Sequence, residues 1–171
     1  MTRPASATDL FITRWGCRFL GRHFPCAIGR GGIRADKREA DGATPAGTHG
    51  LVGLLYRPDR IARGELPDWA LPIGPRDLWS DDPRHEDYNL MVRAPYPHSH
   101  ERLRRADPLY DIVLITDYNW PRAVRGAGSA IFLHLWRGPR VPTAGCVAFR
   151  RDHLLWITRR IRYGTRVIIR G

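Results

Sequence analysis

The sequence has little cysteine, almost no lysine and no long apolar run. Three cysteines in 171 residues are too few for the dense disulfide framework that staples small secreted domains, so stability has to come from a buried core, and the length suits one domain. The longest apolar stretches fall far short of the roughly 20 residues that a membrane-spanning helix needs. Between Met1 and Arg30 no apolar segment of signal-peptide kind is visible, because Arg14, Arg18, Arg22 and His23 interrupt it. Acids are outnumbered: 28 Lys and Arg against 17 Asp and Glu give a net charge of +11, and Lys37 is the single lysine among the 28. Planar guanidinium groups in excess favour a partner rich in carboxylates or phosphates. Nucleic acid would satisfy the charge, but no RNP-like, zinc-finger or helix-turn-helix pattern accompanies it, and the arginines are scattered. Internal repeats and low-complexity tracts are absent too.

Glycine and proline, 17 and 14 residues, divide the chain into short segments and point to a β-rich architecture with many turns. Met1–Thr8 reads as a flexible lead-in to one domain over residues 9–171. Asp9–Trp15 reads as a first strand. Gly16–Leu20 and His23–Ile28 read as a hairpin turning at Gly21-Arg22, a register that sets Cys17 opposite Cys26. Those two thiols are then either bridged or, the commoner outcome, reduced and packed. Pro58, Pro67 and Pro72 forbid a long helix between Arg57 and Pro75, and Trp69 and Trp79 cap the edge of the core. His98–Ala106 suits one or two helical turns, with Glu101 near the start and Arg104 and Arg105 near the end. Leu109–Tyr118 is a strand that pairs with Ser129–Trp136 to make the sheet centre. Arg151–Ile161 spaces Leu154, Leu155, Ile157 and Ile161 as a helix does, with Asp152 in the first turn; Gly164 ends it and Thr165–Ile169 returns as a strand.

The densest chemistry lies in Gly128–Phe149, GSAIFLHLWRGPRVPTAGCVAF. His134 sits near the end of an apolar strand, Gly138, Pro139 and Pro142 break the chain, and Thr143-Ala144-Gly145 delivers Cys146 at the start of the next apolar run. A thiol and an imidazole thus fall on neighbouring strands. A thiol of ordinary pKa, about 8.5, is mostly unreactive near neutrality until an imidazole takes its proton or stabilises the thiolate. Cys146 is therefore the candidate nucleophile and His134 the candidate base. Arg137 and Arg140, on the connecting loop, favour a thiolate and suit a substrate carboxylate. Gly145 lets a carbonyl approach the backbone N–H groups around Cys146, as an oxyanion hole requires. Set against this, a lone cysteine and a lone histidine near strand ends are commonly just packed.

This run resembles the L,D-transpeptidase catalytic domain, the YkuD-type family of peptidoglycan cross-linking enzymes. Its signature is a His, a loop, then [Ser/Thr]-His-Gly-Cys and an apolar residue. Here His134 is followed by Thr143-Ala144-Gly145-Cys146-Val147-Ala148. Thr, Gly, Cys and the apolar position match, Ala144 and Ala148 stand where the family has a second histidine and a polar residue, and the His-to-Cys separation is shorter. Cys26–Ile33, Asp36–Leu51 and the Tyr88-Asn89 and Tyr118-Asn119 pairs extend the likeness over most of the chain, toward a short, compact subgroup.

The resemblance implies a mainly antiparallel β-sandwich or β-rich cradle with one main helix after the cysteine. It implies that the Thr44-Pro45-Ala46-Gly47 turn leads into a core strand at Leu51–Arg57. His49 could face the site, but as a turn histidine it is expected in solvent. It gives Cys146 and His134 the nucleophile and base roles, Thr143, Ala144 and Gly145 the support of the oxyanion site, and Tyr88, Asn89, Tyr118 and Asn119 the cleft wall. The reaction implied is acyl transfer through a thioester between two peptidoglycan stem peptides. The donor is the third-position diamino acid or, as in some compact members, L-Ala at the first position. No cofactor, metal or nucleic acid is implied, and the location implied is the periplasm or cell envelope.

Alternatives remain. Water as acceptor makes the same chemistry an L,D-carboxypeptidase. A papain-like peptidase or amidase needs Cys before His, and downstream of Cys146 only His153 remains. A non-catalytic basic module for an anionic polymer would leave Cys146 merely buried. Asp81, Asp82, His85 and Glu86 gather possible metal ligands, but without a recognisable ligand spacing.

Overall fold

Glycine and proline turns leave room only for short strands. In a computed structural model, which describes residues 4–171, the chain opens with β1 (Leu10–Thr13), β2 (Gly16–Phe19), β3 (Arg22–Phe24) and β4 (Cys26–Ala27). Next come β5 (Ile33–Arg34), β6 (Thr44–Pro45), the long β7 (Gly47–Tyr56) and β8 (Leu71–Pro72). A second group is β9 (Asp77–Ser80), β10 (Met91–Arg93) and β11 (His100–Arg102). The chain closes with β12 (Ile112–Thr116), β13 (Phe132–Leu135), β14 (Val147–Phe149), α1 (Arg151–Thr158) and β15 (Arg166–Ile169).

The main sheet has the order β3-β2-β1-β15-β7-β12-β13-β14-β4, with β8 beside β7; β10-β9-β11 and β5-β6 form two smaller sheets. The ends of that order, β3 and β4, are separated in sequence by Pro25 alone. Phe24 and Cys26 therefore stay within about 7 Å of each other, and the sheet has to curl until its edges meet. Most pairings are antiparallel, as expected, but β1–β15, β5–β6, β7–β8 and β13–β14 are parallel.

Period-two alternation gives the central strands two buried faces. Ile112 and Leu114, Leu133 and Leu135, and Val147 and Phe149 pack with Leu154 and Ile157 of α1 in one core. Val113, Ile115 and Phe132 turn the other way, against Trp79, Leu103 and Tyr110, with Cys146 packed beside them. The three-stranded sheet covers this second face. Trp79 thus lies inside a core, 4 % exposed, rather than capping an edge.

Four expectations are corrected. The first hairpin turns at Leu20-Gly21, where φ is 48° and 74°, because a two-residue loop of this kind needs positive φ at both positions. Cys17 therefore faces Phe24, and Cys26 lies beyond Pro25 at the far end of the sheet; both are free, buried thiols. The segment expected to turn as a helix is β11, since pairing with β9 (Glu101 with Trp79) satisfies its backbone better than a single helical turn. The helix stops at Thr158, although Ile161 still reaches the core. His49 lies within β7, its ring edge-on to Tyr118 at 5.5 Å, not in a solvent turn. Of the lead-in, residues 1–3 lie outside the described residues. Beyond them, the Pro4 and Ala7 carbonyls accept hydrogen bonds from Arg166 and from the Leu20 amide.

Asp9 ties the start of β1 to β15. Its buried carboxylate accepts from Arg166 Nε at 3.1 Å and from the Ser6 amide at 2.7 Å, and the Arg166 bonds hold its pKa down from 3.8 to about 2. A pKa depressed by folding contributes stability that is complete above the unfolded value and disappears as pH falls through the folded one; linkage puts it at about 2 kcal/mol. Asp9→Asn is expected to lower Tm by roughly 4–8 °C at pH 7, and the gap from wild type should close as melting is repeated from pH 4 down to pH 2.

Candidate active site

The parallel pairing of β13 with β14 sets the site. Leu133 pairs with Val147 and His134 with Ala148, so Cys146, just before β14, lies beside Phe132 and on the same sheet face as His134. Two residues of rise and one strand spacing put their Cα atoms roughly 8 Å apart. Both side chains line one cavity of about 450 Å³. The thiol donates to the Ala130 carbonyl at 3.1 Å and accepts from the Phe132 amide at 3.4 Å.

A tight turn delivers the cysteine. Thr143 Oγ1 donates to the Cys146 carbonyl at 2.6 Å and accepts from the Gly145 amide at 3.1 Å. Thr44 Oγ1 clamps the turn from outside, donating to the Gly145 carbonyl and accepting from the Gly29 amide, each at 2.8 Å. Gly145 has φ 146°, and a Cβ there would sit 2.9 Å from the Ala43 carbonyl oxygen. Only glycine fits between the two backbones. In this resting arrangement the Gly145 amide is engaged by Thr143 rather than open to a substrate.

The electrostatics depart from the thiolate expected from the sequence. Burial, with the Glu101 carboxylate adding to it, pushes the Cys146 thiol up to about 12. Burial pushes His134 down to about 4, against the carbonyls of Leu135 and Leu109, which favour its charged form. The resting pair is thus a neutral thiol and a neutral imidazole. His134 Nδ1 lies 2.7 Å from the Leu135 carbonyl, which can only accept, so Nδ1 carries the proton and Nε2 the lone pair. Proton transfer from the thiol would give an imidazolium already facing two carbonyls.

Arg137, Thr143 and Ala144 line the cavity with Cys146 and His134; Arg140 does not. Its guanidinium turns outward to the Trp15 carbonyl, 3.0 Å away. The four Tyr-Asn residues stand behind the site instead of walling it. Asn89 Oδ1 accepts from Trp79 Nε1 and from the Ala130 amide, and its Nδ2 donates to the carbonyls of Tyr118 and Asn119. Tyr88 OH donates to Glu39 and accepts from the Gly128 amide; Tyr118 OH donates to the Ala127 carbonyl, and Asn119 Nδ2 to those of Val124 and Gly128. Together they shape the loop that presents the Ala130 carbonyl to the thiol. Asp82 is occupied by Arg84, and His85 stacks on His98 at 3.9 Å.

Sequence reasoning missed Arg30, Glu101, Arg105 and Tyr110 as cavity residues. Arg30 carries a signal, an arginine flanked by Gly29 and Gly31 in a tight loop. Glu101 and Tyr110 carry none, since pairing within the covering sheet and the start of a core strand bring them here.

Cys146 and His134 thus share one face of adjacent strands of a curled β-sheet and line one cavity, an arrangement of the kind found in a β-rich domain built for thiol chemistry. Residues 14–169 match the family model of the L,D-transpeptidase catalytic domain, and the chain belongs to that family. No curated protein and no solved structure matches it. Among the described residues, no helix is long and apolar enough to cross a membrane.

With the thiol held protonated, iodoacetamide should modify Cys146 at pH 7 more slowly than it modifies a cysteine in an unstructured peptide. The rate should climb up to the highest pH at which the fold persists. A plateau reached below pH 8 would reveal a preformed thiolate, contrary to this geometry.

Proposed function

We propose that the protein is a peptidoglycan L,D-transpeptidase working in the cell envelope through a Cys146 acyl-enzyme. The observation that carries this reading is the family match over nearly the whole chain, taken with Cys146 and His134 on one face of adjacent strands and opening to one cavity. In the first half-reaction His134 Nε2 takes the thiol proton as Sγ attacks the carbonyl of an L-residue joined to a D-residue in the donor stem. The C–S bond forms, the imidazolium rests against the Leu135 and Leu109 carbonyls, and backbone amides of the 143–146 turn receive the oxyanion. The proton then passes to the departing amine. In the second half, an amine of an acceptor stem displaces the thiolate and leaves the cross-link.

Arg30 and Arg137 line the cavity without a salt bridge among the described residues, though the charge of Arg137 still reaches Asp107. They are suited to the carboxylates of the donor stem. Arg105 is already committed to Asp107, at 2.9 and 2.6 Å.

Incubation with purified muropeptides, read by mass, should give cross-linked dimers with wild type and none with Cys146→Ala; the product also identifies the donor residue. A carbapenem should add one molecule to the intact mass at Cys146. A wild type that forms no cross-linked dimer would remove the transpeptidase reading, and trimming without cross-linking would point to the carboxypeptidase. Arg137→Ala should lower kcat/KM tenfold or more, as loss of a charge-assisted hydrogen bond worth about 1.5–3 kcal/mol implies. Arg140→Ala should stay within twofold of wild type.

A further inference from the structure

Glu101 is the one acidic side chain lining the cavity among the described residues. Tyr110 OH donates to its Oε2 at 2.6 Å, while Oε1 has no hydrogen-bond partner among the described residues. Tyr110 is itself fixed on several sides: its ring stands edge-on to His134 at 5.2 Å and to Phe132 at 5.9 Å, and Arg105 lies over it at 5.2 Å. The carboxylate is thus aimed by a side chain that cannot move independently of the site. Its field reaches the Cys146 thiol and opposes ionisation there. A group that only served the nucleophile would not carry this charge. A negative charge at this place suits a cation arriving beside the thioester, in a cavity where Arg105 is turned to Asp107 and the other charged walls, Arg30 and Arg137, suit anions.

We propose that Glu101, oriented by Tyr110, binds the ammonium group of the acceptor stem and takes one of its protons. This rests on the transpeptidase reading. An ammonium nitrogen has no lone pair, so attack on the thioester requires that proton to leave first. The acceptor R–NH3+ gives a proton to the Glu101 carboxylate, and the freed lone pair attacks the thioester carbon. The C–N bond forms, the C–S bond breaks, Sγ leaves as thiolate and takes the second nitrogen proton, and Glu101 returns its proton to water. Burial raises the Glu101 carboxyl above its ordinary value, which makes it a stronger proton acceptor than an exposed glutamate. The carboxylates of Asp81 and Glu39 also act on Glu101 and raise it further, Arg105 lowers it, and Lys37, Tyr110, His134 and Cys146 are the remaining titratable groups around this pair.

The test compares two acceptors on wild type, Glu101→Gln, Glu101→Asp and Tyr110→Phe, with acyl-enzyme formation followed separately by intact mass. One acceptor is a stem peptide bearing an ammonium group; the other is hydroxylamine, which is uncharged at neutral pH and needs no base to expose its lone pair. Glu101→Gln should lower the ratio of stem-peptide transfer to hydroxylamine transfer at least tenfold and move the alkylation profile of Cys146 to lower pH. Glu101→Asp should recover part of the ratio, and Tyr110→Phe should reduce it by a smaller factor. If wild type cross-links but Glu101→Gln slows both acceptors equally, or slows neither, the assignment of Glu101 is overturned while the transpeptidase reading stands. A wild type that forms no cross-link overturns both.

Discussion

The parallel alignment of β13 and β14 is the constraint on which the site depends. Two apolar faces fix its register: Leu133, Leu135, Val147 and Phe149 belong to the helix-side core, and Phe132 and Cys146 to the other. A slip of one residue in either strand would exchange those faces, burying the imidazole or the thiol among leucines and pushing large apolar side chains into the cavity. Fully burying each of those side chains is worth about 1.5–3 kcal/mol, so the packing that stabilises the sheet also sets the distance between Cys146 and His134. Position and stability are not separate properties here.

A second layer holds what alternation alone leaves loose. Ala130 has φ 35°, a conformation that costs a non-glycine residue of order 1–3 kcal/mol, and it is held there by Asn89 on its amide and Cys146 on its carbonyl. Asn89 is anchored in turn by Trp79, and Trp79 stands edge-on to Phe132 at 5.1 Å. The thiol is therefore oriented through a chain of contacts that runs down into the second core. Ala144 is exposed at the cavity rim; that position adds no imidazole, and the network behind the thiol does the orienting.

Much of this was legible in the chain. The apolar runs around His134 and Cys146, the breaks at Gly138 and Pro142, and the apolar spacing at Leu154 and Ile157 announce strand, loop, strand and helix, because burial on two faces and turn chemistry are written locally. What was not legible depends on partners distant in sequence. Glu101 enters the cavity only because β11 pairs with β9, and Arg140 leaves it because the Trp15 carbonyl lies within reach of its guanidinium. The register of Cys17 turned on a two-residue choice of hairpin loop that positive φ at Leu20 and Gly21 decides. The protonation states were misjudged for one reason: proximity of thiol and imidazole suggests an ion pair, whereas burial disfavours charge on both.

The meeting of β3 and β4 across Pro25 bears on how the protein behaves in a crowd. An open sheet of this size would end in two rows of unpaired amide and carbonyl groups, each a template for a strand of another molecule and so for aggregation. Here the two terminal strands are three and two residues long, and a proline, which has no N–H to offer, occupies the corner between them. Curling the main sheet back on itself leaves only these short, proline-flanked strands at its two ends for a second chain to pair with.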